Sequence, residues 1–290
     1  MVMGEGDRLG VFGRDLLDNI PRVLVFELNT GQAILDVKLD TVPSVINVVD
    51  RAEYGWVGPA WDRTNNLLYV PHLYSEFVTT VDLDTGAVTT KEVAEKTSFL
   101  DRILTAWLPP AHAKGASSHM SAAVAPNGSL LYLTGTTLEW VEGSDPNAYR
   151  ELPVGIVAVE PQTMSEVART DLPLDRFAIS PTGEVILAAG WWEDFTDGSF
   201  EFGSSGLHLL DAKTLEPLLS PQPSGDAPYY DLAFSADGRY AYATERDQAP
   251  YTETPPRTIV IDTATLEVSI APILDRFHAQ LLTLGLILDP

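Results

Sequence analysis

The chain has 290 residues, with 18 Lys and Arg against 41 Asp and Glu, a formal net charge of −23 and no cysteine. So acidic a surface repels phosphate backbones and anionic headgroups, which argues against nucleic acid and membrane surfaces, and attracts cationic ligands, metal ions or basic proteins. The lack of thiols excludes disulfides, thiolate metal sites and a cysteine nucleophile, and no apolar run reaches the roughly 18 residues of a membrane span.

The opening MVMGEGDRLG has neither a basic n-region nor an apolar h-region, so it does not read as a signal peptide. The first predicted strands are GDRLGVFGRD (residues 6–15) and residues 22–28, the second entering VLVFELNTGQAI (residues 23–34). That segment recurs as VTTVDLDTGAVT (78–89), IVAVEPQTMSEV (156–167), LHLLDAKTLEPL (207–218) and IVIDTATLEVSI (259–270). Each is an apolar strand ending in an acid, then two residues, then Thr. The pairs are Glu27 and Thr30, Asp82 and Thr85, Glu160 and Thr163, Asp211 and Thr214, Asp262 and Thr265. A carboxylate and a hydroxyl at a strand end accept turn N–H groups, so the unit reads as a hairpin device rather than as catalytic acids.

A second segment precedes four of these: WDRTNNLLYV (61–70), VAPNGSLLYL (124–133), ISPTGEVILA (179–188) and FSADGRYAYA (234–243). Each is a strand end, a turn and an apolar strand. Gly128, Gly183 and Gly238 are expected at φ > 0, with Asn65 filling that place in the first segment. Strands a and b flank this turn, and strands c and d flank the acid–x–x–Thr turn. Repeated four-stranded units of this length predict an all-β fold, a β-propeller.

The ending LILDP (286–290) aligns with the close of strand a in other units, and residues 6–15 resemble the strand b of DGRYAYATERD (237–247). The expectation is one domain spanning residues 1–290, a five-bladed propeller with a split closing blade. The N-terminus supplies its strands b–d and the C-terminus its strand a. A helical insertion is expected near residues 95–110. There Leu100, Ile103, Leu104 and Trp107 share one helix face, Thr97 or Ser98 caps the start, and Pro109 and Pro110 end it.

The segments FSADGRYAYATERD, TIVIDTATLEV and APNGSLLYLTG resemble the YVTN-type propellers, which are grouped with the β chains of quinoprotein amine dehydrogenases. The likeness covers most of the chain and rests on turn motifs, so it speaks for fold more than function. It implies a protein that binds partners, in a secreted, periplasmic or surface location. Five blades depart from the seven usual in that group.

Short, uniform a–b and c–d turns contrast with long, individual b–c and d–a connections, and long loops in compact folds are usually functional or disordered. Binding is therefore assigned to the b–c/d–a face. The b–c segment AGWWEDFTDGSFEFGSSG (189–206) is read as a loop carrying Trp191, Trp192, Phe195, Phe200 and Phe202 among Glu193, Asp194, Asp197 and Glu201. Its aromatics either pack over the blade or form a stacking platform, a mix that suits a cationic amine or a sugar. Residues 134–155, with Trp140, Glu142, Asp145 and Tyr149, read as a protruding hairpin.

The starts of the a strands are expected to point toward the axial channel. Trp56, His119, Leu174, Tyr229 and Thr283 fall at one level, with Arg176, Tyr230, Asp231 and His278 close by. His119 with Asp231 and Arg176 is the best polar constellation. The histidines His72, His112, His119, His208 and His278 show no transition-metal spacing, and His208 reads as structural. No GxSxG, GxGxxG or P-loop occurs, and the NGS sequon at 127–129 coincides with a hairpin turn that accounts for it.

Three functions compete. A non-catalytic binding monomer would take a protein or a small cationic or sugar ligand. An enzyme or enzyme subunit, resembling the amine dehydrogenase β chain or propeller lactonases, would work at the channel mouth. A metal-stabilised ring would hold Ca²⁺ in acidic loops; no other cofactor is expected.

Overall fold

The computed structural model describes residues 2–5, 7–14, 20–39, 46–48, 51–53, 56–72, 76–94, 116–141, 148–196, 199–219, 221–222, 228–245 and 257–272. Every regular element among them is a β-strand. The expected helix near 95–110 and the expected closing strand at the C-terminus lie outside the described residues.

Strands β1 (Val2–Glu5), β2 (Arg8–Arg14), β3 (Pro21–Glu27) and β4 (Ala33–Lys38) form one antiparallel sheet in that order. Strands β5 (Ile46–Val48) and β6 (Arg51–Glu53) pair alone, and β7 (Trp56–Gly58) follows. A second sheet holds β8 (Ala60–Asp62), β9 (Leu67–Pro71), β10 (Phe77–Asp82) and β11 (Val88–Glu92). A larger sheet contains β12 (Ala116–Val124), β13 (Leu131–Trp140), β14 (Tyr149–Glu160), β15 (Ser165–Thr170), β16 (Arg176–Ile179), β17 (Val185–Thr196) and β18 (Ser199–Asp211), with β7 at one edge. The last sheet is β19 (Tyr229–Phe234), β20 (Tyr240–Glu245), β21 (Arg257–Asp262) and β22 (Val268–Pro272). The chain divides into two compact units, Met1–Trp140 with Ala158–Glu166, and Val141–Val157 with Val167–Pro290.

The first sheet corrects the expected split blade. Val2 lies opposite Val11 and Glu5 opposite Arg8, so β1 takes the edge of β2 that had been assigned to the C-terminal strand. The reason is proximity in sequence. A hairpin between neighbouring segments closes a short loop at a small entropy cost, whereas pairing the two ends of the chain closes a very long one.

The acid–x–x–Thr unit is the hairpin device that its residue types predict. In all five copies the N–H after Thr donates to the carbonyl of the acid, at 2.8 Å: Gly31 to Glu27, Gly86 to Asp82, Met164 to Glu160, Leu215 to Asp211 and Leu266 to Asp262. Where the acid is Asp, its Oδ1 accepts the next N–H groups, as Asp82 does from Asp84 and Thr85 at 2.9 Å. These bonds stabilise the anions and hold the Asp82, Asp211 and Asp262 carboxyls below their ordinary range, the N–H of the unit's Thr being the leading cause each time. The residue after Thr is left-handed in every copy, including Met164 (φ 59), Leu215 (φ 60) and Leu266 (φ 61). A side chain there costs about 1–2 kcal/mol. Met164 (0% exposed) and Leu215 (2% exposed) offset this by burial worth about 1.5–3 kcal/mol each. At Leu215 the usual order of substitutions is therefore expected to invert. Leu215→Gly should be more stable than Leu215→Ala by about 1 kcal/mol in urea denaturation, because both lose the buried side chain and only Gly relieves the strain.

In the other hairpins Gly128, Gly183 and Gly238 have positive φ as expected, but the first turn uses Asn66 (φ 52) rather than Asn65. Asp62 Oδ1 accepts the N–H groups of Thr64 and Asn65, and Asn65 Nδ2 donates to Asp62 Oδ2 at 2.7 Å. Those bonds hold Asn65 within the turn, so the reversal falls one residue later.

The sheets stack through apolar faces. In the first unit Val23 and Val25 of β3 cluster with Leu68 and Val70 of β9, Val81 of β10 and Met120 of β12. In the second, Leu187 and Ala189 of β17 and Leu207 and Leu209 of β18 cluster with Ala241, Ala243, Ile259 and Ile261. Main-chain bonds also join neighbours in the first unit. Strand β7 runs parallel to β12, with Trp56 opposite His119 and Gly58 opposite Ser121, before the chain passes Pro59 into β8. In the same unit Ala94 donates to Met164 O at 2.8 Å and accepts from Glu166 N at 3.2 Å.

Candidate functional site

The segment read as an aromatic loop is a β-ribbon, which corrects that expectation. Strands β17 and β18 pair continuously outward from the sheet until Thr196 faces Ser199. The sequence between them is Asp-Gly, the dipeptide that suits a two-residue hairpin turn; those two residues lie outside the described set. Strand β14 adds a third member to this ribbon, with Tyr149 opposite Phe195, Arg150 opposite Asp194 and Glu151 opposite Glu193. The expected hairpin at 134–155 is present as β13 and β14, with Val141 N donating to Ala148 O at 3.0 Å. The ribbon begins at a bulge: Gly190 faces Gly206 while Trp191 faces Ser204, leaving Ser205 out of register. Gly206 (φ 85) and Gly155 (φ 86) occupy the same repeat position, five residues before Asp211 and Glu160. Glycine admits this conformation and the close approach of backbone, and it occurs at that position in the two repeats whose strands run on as ribbon. A Gly there is the sequence signal that would have foretold the extension.

Alternation along a strand sends neighbours to opposite faces. Trp191 and Trp192 therefore do not share a platform, as the loop reading had allowed. One face carries Trp191, Glu193 and Phe195 of β17, Phe202 of β18, and Tyr149 and Glu151 of β14. The Trp191 and Phe202 rings stack at 4.9 Å and 29°, and Phe202 remains 44% exposed. Tyr149 meets Phe195 at 6.1 Å. Glu193 sits between the two aromatic pairs. Its Oε1 accepts from Trp191 Nε1 at 3.1 Å and its Oε2 from the Tyr149 hydroxyl at 3.3 Å. Partial burial, followed by the Glu193 charge, raises the Tyr149 hydroxyl above its ordinary range, so it stays a donor.

The opposite face carries Trp192, Asp194 and Glu201. The Trp192 ring lies across Gly203, where a Cβ would come within 2.5 Å of it. Asp194 Oδ2 accepts from Arg150 Nε at 2.7 Å, while its Oδ1 is enclosed and accepts nothing. Asp194 is thus committed to a structural ion pair.

The expected channel residues fall as follows. Trp56 and His119 are cross-strand neighbours in the first unit. In the second unit Tyr229 faces Glu245 and Asp231 faces Thr244, with Tyr230 bulged between them. Arg176 donates through Nε and Nη2 to Asp175, at 3.0 and 2.8 Å, a partner that the sequence reading had not considered. His119 belongs to the first unit and Arg176 and Asp231 to the second.

Sequence reasoning also missed a buried cluster at the open ends of β20 and β21. The Glu245 side chain, 4% exposed, accepts from Arg257 Nε at 3.0–3.1 Å, Nη2 at 2.5 Å and the backbone N–H at 3.1 Å. Burial, reinforced by Glu245, pushes the neighbouring Tyr229 hydroxyl up to about 12. His208, as expected, is structural: it is 2% exposed, and its Nε2 pairs with Ser205 O at 3.0 Å.

His72 is 4% exposed and its Nε2 contacts Thr79 Oγ1 at 2.7 Å, which in turn contacts Thr90 Oγ1 at 2.8 Å. Burial lowers the imidazole to about 4. Since the folded value lies below the ordinary 6.5, the unfolded chain binds the proton first. The stability this group contributes is complete above pH 6.5 and is lost as pH falls toward about 4. The loss should total about 3 kcal/mol. His72→Gln, which keeps a hydrogen-bonding partner for Thr79, should flatten that part of the urea-denaturation profile relative to the wild type.

No protein-family model matches the chain, and no curated protein matches it. Among solved structures, the Kuenenia stuttgartiensis hydrazine synthase is 18% identical over 93% of this chain and 64% of that chain, with a TM-score of 0.51. This chain therefore spans less than two thirds of that structure's length. The fold is a β-propeller. A Dos1 propeller is 12% identical over 92% of this chain and 55% of that one, with a TM-score of 0.47. The β-propeller domain of the trilobed protease from Pyrococcus furiosus is 8% identical over 95% and 70%, also at 0.47. Among the described residues the propeller has no cluster of three or more metal-ligating side chains and no helix long and apolar enough to cross a membrane.

Proposed function

We propose that this propeller is a non-catalytic binding module, a single domain of five YVTN-style blades acting outside the cytoplasm. Its working surface is the side carrying the b–c and d–a connections, and its ligand is a protein or a small cationic or sugar molecule. The observation that carries this reading is the three-stranded ribbon. It holds aromatic rings and an oriented carboxylate at its surface, in ordered strands rather than in a loop. Rigid elements that present partly exposed aromatics are what recognition sites are built from.

The test is a variant in which residues 192–203 are replaced by a short Asn-Gly hairpin. It is screened beside the wild type against amines, mono- and disaccharides and basic peptides. Loss of a wild-type interaction with the fold retained by circular dichroism is the expected result. Binding that survives the replacement, or turnover of any probe, would overturn the proposal in favour of a channel-mouth enzyme involving His119, Arg176 and Asp231. No cofactor is part of this reading, so EDTA should leave the melting temperature unchanged; a fall on chelation would instead support the Ca²⁺-stabilised ring.

A further inference from the structure

We propose that His72 is an acid-operated latch on the b–c side of the second sheet: once protonated, its ring leaves its place beside β10, and the last rung of the β9–β10 hairpin opens while both units stay folded. Its effect on binding rests on the reading of the b–c side as the working surface; the latch itself does not.

The geometry makes the event local. His72 follows the end of β9, and its N–H donates to Phe77 O at 3.0 Å, the main-chain bond at that end of the hairpin. Its ring is 4% exposed and lies 6.2 Å from the Phe77 ring. The contacts from Nε2 to Thr79 Oγ1, and from there to Thr90 Oγ1, run from the end of β9 across β10 to β11. When the ring departs, Thr79 keeps Thr90, so no buried hydroxyl is stranded. Opening gives up one side-chain bond and one main-chain bond, far less than unfolding the unit.

The surroundings decide what a charged ring meets. Register puts Phe77 and Thr79 on the face of Leu68, Val70 and Val81, which packs on the first sheet. From that sheet come Val23, Val25 and partly buried Phe12, and Arg14 takes a place on the same side of β2 by register. Strands β7 and β12 bring Val57 and Met120, with His119 on the other side of β12. None of these groups is a carboxylate. Lys91 belongs to the opposite face, opposite Val78. The acids sit at the rim: Glu92, exposed and opposite Phe77, and the half-buried Glu76. An imidazolium is therefore stabilised by moving outward, toward water and the acidic rim. Burial holds the enclosed imidazole down to about 4, and an opened one returns to the ordinary 6.5, so acid favours the open form. The population of that form should rise about 20-fold between about pH 7 and about pH 5.

Hydrogen exchange of the full chain, followed by NMR at about pH 7 and about pH 5 and corrected for the intrinsic rate at each, reads the latch through the His72 amide. Its opening constant should exceed that of the Val25 amide by at least about tenfold and should rise about 20-fold in acid. His72→Gln, which keeps a partner for Thr79, should abolish the rise. Thr79→Val, which is nearly isosteric, should increase opening at both pH values and preserve their ratio, and it carries the test if the Gln variant does not fold. A His72 amide that opens no more readily than Val25 would overturn the latch. So would opening that does not rise in acid, a rise that persists in His72→Gln, or no added opening in Thr79→Val. Each of these results leaves the binding-module reading to the ribbon replacement, which tests it separately.

Discussion

Gly190→Ala is expected to be severely destabilising. A Cβ at that position would lie 1.7 Å from the carbonyl oxygen of Pro173 and 2.8 Å from Ser205 Oγ. The first contact is with backbone, so no rotamer change relieves it. The strand would have to move by more than an ångström at the bulge where sheet becomes ribbon, beside the buried Ala189 and Leu207. We expect a loss of at least about 4 kcal/mol, seen as insoluble expression or a large fall in the urea midpoint. Gly13→Ala is the matched control. Nothing lies within 4 Å of its added Cβ, and it should be near neutral. Comparable stability of the two variants would show the close approach of Pro173 to Gly190 to be wrong.

The second large effect is expected at Arg257. Its guanidinium and backbone N–H supply the hydrogen bonds that hold the Glu245 carboxylate, and that side chain is 4% exposed against 32% for Arg257. Arg257→Met would strip the enclosed carboxylate of its guanidinium partner. Removing one partner of a buried pair costs about 3–5 kcal/mol, and with one group partly in solvent we expect about 2–4 kcal/mol. The decisive measurement is a double-mutant cycle. Glu245→Gln in the Arg257→Met background should recover part of the loss, because an amide strands no charge. A cost below about 1 kcal/mol for Arg257→Met, or no recovery in the double variant, would mean that the pair is solvated.

What the sequence made legible follows from where each structure's hydrogen bonds reside. The acid–x–x–Thr turns were readable because the carboxylate and hydroxyl that make the turn are themselves the repeated letters. The turn at Asn66 was misplaced by one residue because the bonds from Thr64, Asn65 and the Asn65 amide all converge on Asp62, a rearrangement that no single position announces. The ribbon was mistaken for a loop because Gly, Ser and Asp are frequent in it. The strand pattern was nevertheless present, in the alternation of Trp191, Glu193 and Phe195 and in the Asp-Gly dipeptide. Strand β1 escaped notice because it is short and contains Gly4, while a longer apolar segment elsewhere fitted the same role. The candidate site was half visible. Trp191 was picked out, but Glu193 gained its importance only when β14 brought Tyr149 and Glu151 alongside.

The parallel pairing of β7 with β12 has a consequence for how the molecule comes apart. Repeats that touch only through side chains can loosen one after another, each with its own melting step. Here a segment of three residues leaves one sheet to hydrogen-bond with the next, so separating those neighbours ruptures main-chain bonds as well as apolar contacts. Amide protons of Val57 and Met120 should therefore exchange in a single shared opening event, and a protease should find no early nick between these two repeats at Pro59.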